Sequence, residues 1–179
     1  MNSVEQSKLN IATRVFLVGP MGAGKTTIGM PLAKSLAKSF YDCDKEIELR
    51  TGANIPLIFE LEGEQGFRKR EALMLAEMAQ LDDIVLATGG GVVLLEENRQ
   101  LLKECGFVVY LTAPLDQLFQ RTAKDRGRPL LETEDPLAKI SQLLAQRTAF
   151  YEDVADLTVN TGDKNVKEVV SLISQALTA

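Results

Sequence analysis

The feature that most constrains the fold is a glycine-rich turn that follows an apolar run. The turn reads GPMGAGKT at residues 19–26, and the run RVFLVG precedes it at residues 14–19. This spacing fits the P-loop pattern, in which a strand leads through the turn into a helix. Backbone N–H groups of such a turn surround a phosphate chain at the positive end of the helix. The pattern therefore predicts a strand, a helix and a phosphate site between them.

Two side chains of this turn carry chemistry that a plain turn does not need. Lys25 is expected to meet the β- and γ-phosphates of a nucleotide, and the Thr26 hydroxyl to take one position on Mg²⁺. A glycine-rich turn without a ligand is the alternative, but strand, spacing and helix all agree with a P-loop. The residues predicted to contact the nucleotide here are Gly22, Ala23, Gly24, Lys25, Thr26 and Thr27.

Short β-branched and aromatic runs alternate with longer amphipathic stretches along the chain. Predicted strands lie at residues 14–19, 39–43, 84–88, 107–112 and 156–160. Amphipathic helical patterns are clear at residues 73–81 and 140–151. This alternation is typical of a parallel sheet wrapped by helices, an α/β fold. The 179 residues contain no repeat or linker, so we expect a single domain with a loose N-terminal tail at residues 1–12.

Composition excludes several classes of protein. The chain has no histidine, which rules out histidine-based triads, metal sites and acid–base catalysis. Its net charge of −5 argues against a general affinity for nucleic acid, and no apolar run is long enough to span a bilayer. The only cysteines, Cys43 and Cys105, are too few for a disulfide framework. We therefore expect a cytoplasmic protein.

A pair of carboxylates ends the second predicted strand. In the segment FYDCDKEIE, Asp42 and Asp44 are separated by Cys43. Alternate residues of an extended segment share a face, so both carboxylates are predicted to point one way and Cys43 towards the core. If this strand neighbours the P-loop strand, both carboxylates lie at the edge where open α/β sheets bind ligands. A solvated strand end is the alternative.

Two weaker signals accompany the pair. Gly89, Gly90 and Gly91 close the third predicted strand and allow a ligand to approach the backbone, although a tight turn explains them equally well. Four of the arginines are spaced along the chain. Arginine can bind a carboxylate or phosphate through two parallel hydrogen bonds, although a single arginine is more often a surface charge. The four are Arg68, Arg121, Arg128 and Arg147.

Together these features resemble shikimate kinase, from about residue 14 to about residue 170. The segments that carry the resemblance are FLVGPMGAGKTTIG, FYDCDKEIELRTGANIPLIFELEGEQGFRKRE, VLATGGGVV, GRPLL and QRTAFYEDVADLTV. The resemblance implies a three-layer P-loop kinase fold with a five-stranded parallel sheet in the order 2-3-1-4-5. It also implies a helical substrate-binding subdomain at about residues 44–71 and a mobile lid at about residues 123–136.

The resemblance implies a reaction as well. ATP would donate its γ-phosphoryl group to the 3-hydroxyl of shikimate, which gives shikimate 3-phosphate and ADP on the way to chorismate and the aromatic amino acids. Lys25, Asp44 and Arg128 would be the catalytic residues. Asp44 would position the hydroxyl and accept its proton, while Arg128 would reach the phosphates from the closing lid. The family also suggests a monomer.

The remaining assignments concern binding. Arg68 and Arg147 would hold the shikimate carboxylate, and the backbone of residues 89–91, chiefly Gly90, would contact the ring. Asp42 would help Thr26 to organise Mg²⁺. Arg121 would pack beside the adenine, and Lys164 would lie in a nucleotide-contacting loop.

Two other functions remain open at this point. Another small-molecule P-loop kinase, for gluconate or a nucleoside monophosphate, would share the donor site and differ in its acceptor pocket. A non-catalytic ATP-binding switch would not need Lys25, Asp44 and Arg128 together. The Asp-x-Asp pair, the Phe-Arg pair at residues 67–68 and the triple glycine favour shikimate kinase over the other small-molecule kinases.

Overall fold

The computed structural model describes residues 13–124 and 129–178, and a parallel sheet forms the centre of this part of the chain. Its five strands are β1 (Arg14–Val18), β2 (Ser39–Asp42), β3 (Ile84–Ala87), β4 (Phe107–Thr112) and β5 (Leu157–Asn160). They pair in the order β2-β3-β1-β4-β5, and all pairs are parallel. The predicted fold and strand order are confirmed, and the predicted strand ends differ by at most one residue.

Helices connect the strands in the expected alternation. They are α1 (Lys25–Ser35), α2 (Cys43–Thr51), α3 (Ile55–Met78), α4 (Glu96–Cys105), α5 (Leu115–Thr122), α6 (Pro136–Val154) and α7 (Val166–Thr178), with short 3₁₀ turns at Val92–Leu94 and Pro129–Leu131. The predicted helical segment 140–151 lies inside α6, while the segment 73–81 runs past the end of α3. Of the helices described, none is both long and apolar enough to cross a membrane.

The sheet is covered on both faces, which makes three layers. Alternate residues of β1 point to opposite sides, so Phe16 packs in one buried cluster and Leu17 in the other. The first cluster includes Ile47 of α2 and Leu75 of α3, and the second includes Leu32 of α1. Because both faces are covered, ligands reach the sheet at its carboxyl edge.

The strand order brings three functional segments to that edge. β1 lies between β3 and β4, so the turn after β1 stands where the chain connections diverge to opposite sides of the sheet. β2 ends at Asp42, and the triple glycine follows β3. In the register of the sheet, Asp42 pairs with Ala87 and Ala87 pairs with Leu17. The P-loop, the carboxylate pair and the triple glycine therefore meet at one place.

Helix α3 is divided by a kink at Gly63, whose φ of 69° lies in the region that glycine adopts most readily. Asn54 begins the helix, since its side chain accepts a hydrogen bond of 2.9 Å from the Leu57 N–H. The arm before the kink carries Phe59, and the arm after it carries Arg68; both side chains line one cavity beside the sheet edge. The kink thus turns a single helix into two walls of that cavity. The assignment of residues 44–71 to a substrate-binding subdomain stays a prediction.

Candidate active site

In the P-loop, the Lys25 side chain reaches back to the start of the turn. Gly24, with φ of 100°, ends the turn, and α1 begins at Lys25. The Lys25 Nζ donates to the carbonyl of Gly19 at 2.7 Å and to that of Pro20 at 2.9 Å. The Ala23 N–H donates to the Pro20 carbonyl at 3.2 Å. These contacts hold the ammonium group over the turn at the N-terminus of α1, where phosphate oxygens are expected.

Asp42 connects the P-loop helix to the neighbouring strand. Its Oδ2 accepts a hydrogen bond of 2.7 Å from the Thr26 hydroxyl. Its Oδ1 accepts from the Asp44 N–H at 3.1 Å and from the Lys45 N–H at 3.3 Å. Asp42 is therefore the N-cap of α2 as well as the partner of Thr26.

This cap corrects one prediction. Asp42 and Asp44 do not share the face of an extended strand, because β2 ends at Asp42 and Asp44 lies in the first turn of α2. An aspartate at an N-cap satisfies free N–H groups of a helix, so the chain turns here instead of continuing the strand. Both carboxylates nevertheless line the same cavities, and Cys43 is fully buried, as predicted.

Two cavities meet at the edge of the sheet. One, of about 470 Å³, follows the P-loop and α1 towards Thr161 and Lys164. The other, of about 360 Å³, lies between α2, α3, α6 and the triple glycine. The residues that line both are Thr26, Asp42, Asp44, Gly89 and Gly90. A group bound in one cavity therefore meets a group bound in the other across the two carboxylates.

A buried ion pair forms one wall of the second cavity. Arg68 donates from Nη1 to Glu71 Oε2 at 2.7 Å, and from Nη2 to Glu64 Oε1 at 3.1 Å. Arg68 is 9% exposed and Glu71 is 0% exposed. Burial raises the pKa of Glu71, and the neighbouring guanidinium opposes that rise. The arginine is thus held in place by a carboxylate that water does not reach.

The triple glycine makes room for this pair. A Cβ at Gly89 would clash with Glu71 Oε1, and a Cβ at Gly91 would clash with the Arg68 guanidinium. From the sequence alone, the triple glycine indicates either close approach of a ligand or a tight turn. Part of the room is instead taken by side chains of α3, which pack directly on the strand end.

Arg147 reaches the same cavity from α6. It is 4% exposed, and its charge acts on Glu71 and on the Tyr151 hydroxyl. Its Nε and that of Arg68 are buried without hydrogen-bond partners among the described residues. Buried guanidinium groups are costly without an anion beside them. Arg147 therefore gives the second cavity a guanidinium group for an anionic ligand, beside Arg68, whose two Nη atoms pair with Glu64 and Glu71.

Comparison with known proteins agrees with this geometry. The shikimate kinase family model matches residues 21–178. Over 163 residues the chain is 55% identical to shikimate kinase from Nitrosococcus oceani, with 91% of this chain and 86% of that protein covered. The chain belongs to the shikimate kinase family. It is a phosphotransferase with ATP as co-substrate, as predicted.

Solved structures show the same relationship at the level of the fold. Shikimate kinase from Acinetobacter baumannii, in complex with shikimate, superposes with a TM-score of 0.91 at 45% identity and 95% coverage of both chains. A gluconokinase from Sinorhizobium meliloti superposes with a TM-score of 0.59 at 15% identity, covering 94% of this chain and 93% of its own, and shows a shared fold alone. Family membership therefore favours shikimate kinase over the gluconate kinase alternative.

The structure brings the predicted site residues of this kinase into two groups. The nucleotide residues Gly22, Ala23, Gly24, Lys25, Thr26, Thr27, Arg121 and Lys164 line the first cavity. The substrate residues Asp44, Arg68, Gly89, Gly90, Gly91 and Arg147 line the second. Arg128 lies outside the described residues, as do the tail at residues 1–12 and residues 125–128 of the predicted lid. The individual roles stay predictions.

Arg121 has partners that the sequence did not indicate. Its guanidinium donates to the carbonyls of Gly22 at 3.0 Å and Thr161 at 3.3 Å. The Thr161 hydroxyl in turn donates to the Ala23 carbonyl at 2.9 Å. Arg121 therefore braces the P-loop against the end of β5, in addition to lining the nucleotide cavity.

Three residues of the kinase site escaped sequence reasoning: Glu71, Tyr151 and Thr161. A signal for Glu71 exists, because it falls on the apolar stripe of α3 with Phe67, Met74 and Leu75, where a charge needs a partner. Tyr151 and Thr161 carry no such signal. A tyrosine on an amphipathic helix and a threonine after a strand are ordinary residues at those places.

Proposed function

We propose that this kinase transfers the γ-phosphoryl group of ATP to the 3-hydroxyl of shikimate, giving shikimate 3-phosphate and ADP. The observation that carries the proposal is the shared wall of the two cavities, at Thr26, Asp42 and Asp44. The last phosphate of a nucleotide on the P-loop would therefore lie next to an alcohol group bound in the second cavity. The relative from Acinetobacter baumannii, whose structure contains shikimate, supports the choice of acceptor.

The donor half of the reaction rests on alignment and positive charge. Phosphoryl transfer passes through a loose transition state, with charge on the equatorial oxygens of the transferred group. Lys25 exchanges its two carbonyl partners for phosphate oxygens, and the loop N–H groups hold the chain in line. Arg128 adds a second positive charge in this proposal.

The residues beside the P-loop fit Mg²⁺. The Thr26 hydroxyl and the Asp42 carboxylate, 2.7 Å apart, are the hard oxygen donors that Mg²⁺ prefers. Mg²⁺ at nucleotide sites keeps several waters and shares its coordination with one or two carboxylates and substrate phosphates. Mg²⁺ would neutralise charge on the phosphate oxygens. Thr26 would hold it directly, and Asp42 would help to place it.

The acceptor half rests on charge complementarity. The shikimate carboxylate pairs with Arg68 and Arg147, whose Nε atoms lack partners. Asp44 lines the wall that this cavity shares with the nucleotide cavity, and in this proposal it orients the 3-hydroxyl. In a loose transition state the hydroxyl proton leaves late, so Asp44 accepts it as the new O–P bond completes.

Location, assembly and lid closure complete the proposal. We propose that the kinase acts in the cytoplasm as a monomer. The segment at about residues 123–136 closes over the bound substrates, because exclusion of water prevents wasteful hydrolysis of ATP.

One assay tests the proposed function. ADP release is measured with ATP and Mg²⁺ in the presence of shikimate, gluconate, each nucleoside monophosphate, or buffer alone. We expect release with shikimate only, together with formation of shikimate 3-phosphate. Turnover of another acceptor instead of shikimate would show that the proposed substrate is wrong. ADP release without any acceptor would indicate an ATPase.

Replacing Asp42 with Asn separates its two roles. Asparagine caps helices about as well as aspartate, so the free energy of unfolding is expected to fall by less than about 1 kcal/mol. Its amide lacks the charge, so the Mg²⁺ concentration for half-maximal activity should rise roughly 10–100-fold. Chemical denaturation and a Mg²⁺ titration measure the two effects. An unchanged Mg²⁺ requirement would show that Asp42 serves only as the N-cap of α2.

A further inference from the structure

Tyr151 of α6 contacts the backbone of the triple glycine. Its side chain is fully buried, its hydroxyl donates to the Gly90 carbonyl, and its ring stacks on Tyr110 with centroids 5.1 Å apart and planes 23° apart. Burial raises the pKa of Tyr151, so the hydroxyl keeps its proton and remains a donor. The strand end is therefore held by one neutral hydrogen bond.

The direction of the next amide follows from this bond. The Gly90 carbonyl and the Gly91 N–H belong to one peptide unit, and the described residues contain no cis peptide bond. In a planar trans peptide the C=O and N–H groups point in opposite directions. A donor that holds the Gly90 carbonyl on the Tyr151 side consequently turns the Gly91 N–H away from Tyr151. Gly91 lines the second cavity, whereas Tyr151 is not part of its lining.

The surrounding contacts leave this peptide little freedom. The Gly89 carbonyl accepts from the Val92 N–H at 3.2 Å, and the Gly91 carbonyl accepts from the Leu94 N–H at 3.1 Å, so a 3₁₀ turn holds both sides. A Cβ at Gly90 would lie 3.5 Å from the Gly19 carbonyl and 3.6 Å from Arg147 Nη1. The triple glycine is thus packed between the start of the P-loop and α6.

We propose that Tyr151 is a positioning residue for the substrate carboxylate. By holding the Gly90 carbonyl, it aims the Gly91 N–H into the cavity as a third donor beside Arg68 and Arg147. The inference rests on the proposed function, because it needs the shikimate carboxylate at that place.

The position of Tyr151 on its helix supports this role. It lies four residues after Arg147, so both side chains leave the same face of α6. A phenylalanine would fill the same space and keep the stack on Tyr110. A fully buried hydroxyl carries a desolvation cost that its hydrogen bond must offset. One helix thus delivers the guanidinium and the group that orients the amide.

Tyr151→Phe is the direct test in the full-length enzyme. The KM for shikimate is expected to rise roughly 5–30-fold, the effect of one oriented donor to a charged group, while kcat and the KM for ATP stay within about twofold. Tyr110→Phe is the matched control, because it removes the hydroxyl of the stacked neighbour and leaves the bond to Gly90 in place. An unchanged KM for shikimate in Tyr151→Phe, or equal changes in both variants, would overturn the proposal.

The Gly91 amide of the wild-type enzyme provides a second readout, which does not depend on how well a variant folds. In ¹⁵N-labelled wild-type enzyme, its proton resonance should move downfield when shikimate is added and stay nearly in place when ADP is added. In Tyr151→Phe the shift with shikimate should be smaller. If the wild type phosphorylates shikimate and this resonance does not respond, the inference is wrong and the function stands. A wild type that does not turn over shikimate would reject the proposed function instead.

Discussion

Asp44→Asn should lower kcat for shikimate roughly 10²–10⁴-fold, the range for loss of a positioned general base. The amide keeps the size of the side chain and can still accept a hydrogen bond through its oxygen. It cannot take the hydroxyl proton. Because Asp44 lines both cavities, we expect this loss without any movement of the bound nucleotide or substrate. Formation of shikimate 3-phosphate under saturating ATP and shikimate measures it.

Two further variants show what the loss means. Asp44→Ala removes placement together with proton acceptance, so activity equal to that of Asp44→Asn would assign the effect to the proton. Glu46→Gln is the matched control, since it removes a carboxylate from the same first turn of α2, and Glu46 does not line either cavity. Near-normal turnover in Asp44→Asn would contradict the proposed role.

Much of this arrangement follows from local sequence patterns. The P-loop has a specific spacing, and short apolar runs that alternate with helical patterns dictate a parallel sheet. The order β2-β3-β1-β4-β5, in contrast, depends on which strands pair across long stretches of chain, and here it came from the family resemblance. Such pairing is a tertiary property that periodicity within one segment does not contain.

The errors at the site have a physical cause as well. FYDCD reads as one strand because alternation continues through Cys43, yet the N-cap at Asp42 ends the strand one residue earlier. The Asp42 side chain accepts hydrogen bonds from backbone N–H groups at the start of α2, and these bonds compete with extension of the strand. Those N–H groups come within reach only when the chain turns. The position of Glu71 beneath Gly89 similarly depends on how α3 packs on the sheet. A sequence pattern indicates residue types, and packing decides which atoms those residues contact.

Arg68→Ala should weaken shikimate binding by about 2–5 kcal/mol, the effect of removing one partner of a buried charge pair, and leave ATP binding nearly unchanged. Calorimetric titration with each ligand measures both affinities. Arg70→Ala is the matched control on the same helix, because the Arg70 side chain is 41% exposed and pairs with Glu62 at the surface. Loss of such a surface pair lowers the free energy of unfolding by at most about 1 kcal/mol. Equal losses for both ligands in Arg68→Ala would remove this arginine from the substrate site.

The same variant should also change how stability depends on pH. Without Arg68, burial raises the pKa of Glu71 in the folded state further above its unfolded value, since Arg68 opposes the rise more strongly than Arg147, which remains. A raised folded-state pKa gives stability that is present at low pH and lost as pH rises through that pKa. The free energy of unfolding of Arg68→Ala, relative to wild type, should therefore be lower at about pH 8 than at about pH 5.

Adding Glu71→Gln to Arg68→Ala should remove this pH dependence and recover part of the stability, because no uncompensated carboxylate is left in the interior. Shikimate affinity should not recover, since the guanidinium is still missing. Urea unfolding at both pH values and calorimetric titration with shikimate separate the two results. Recovery of binding in the double variant would show that Arg68 serves mainly to neutralise Glu71. Without that recovery, the ion pair holds a guanidinium ready for the substrate carboxylate.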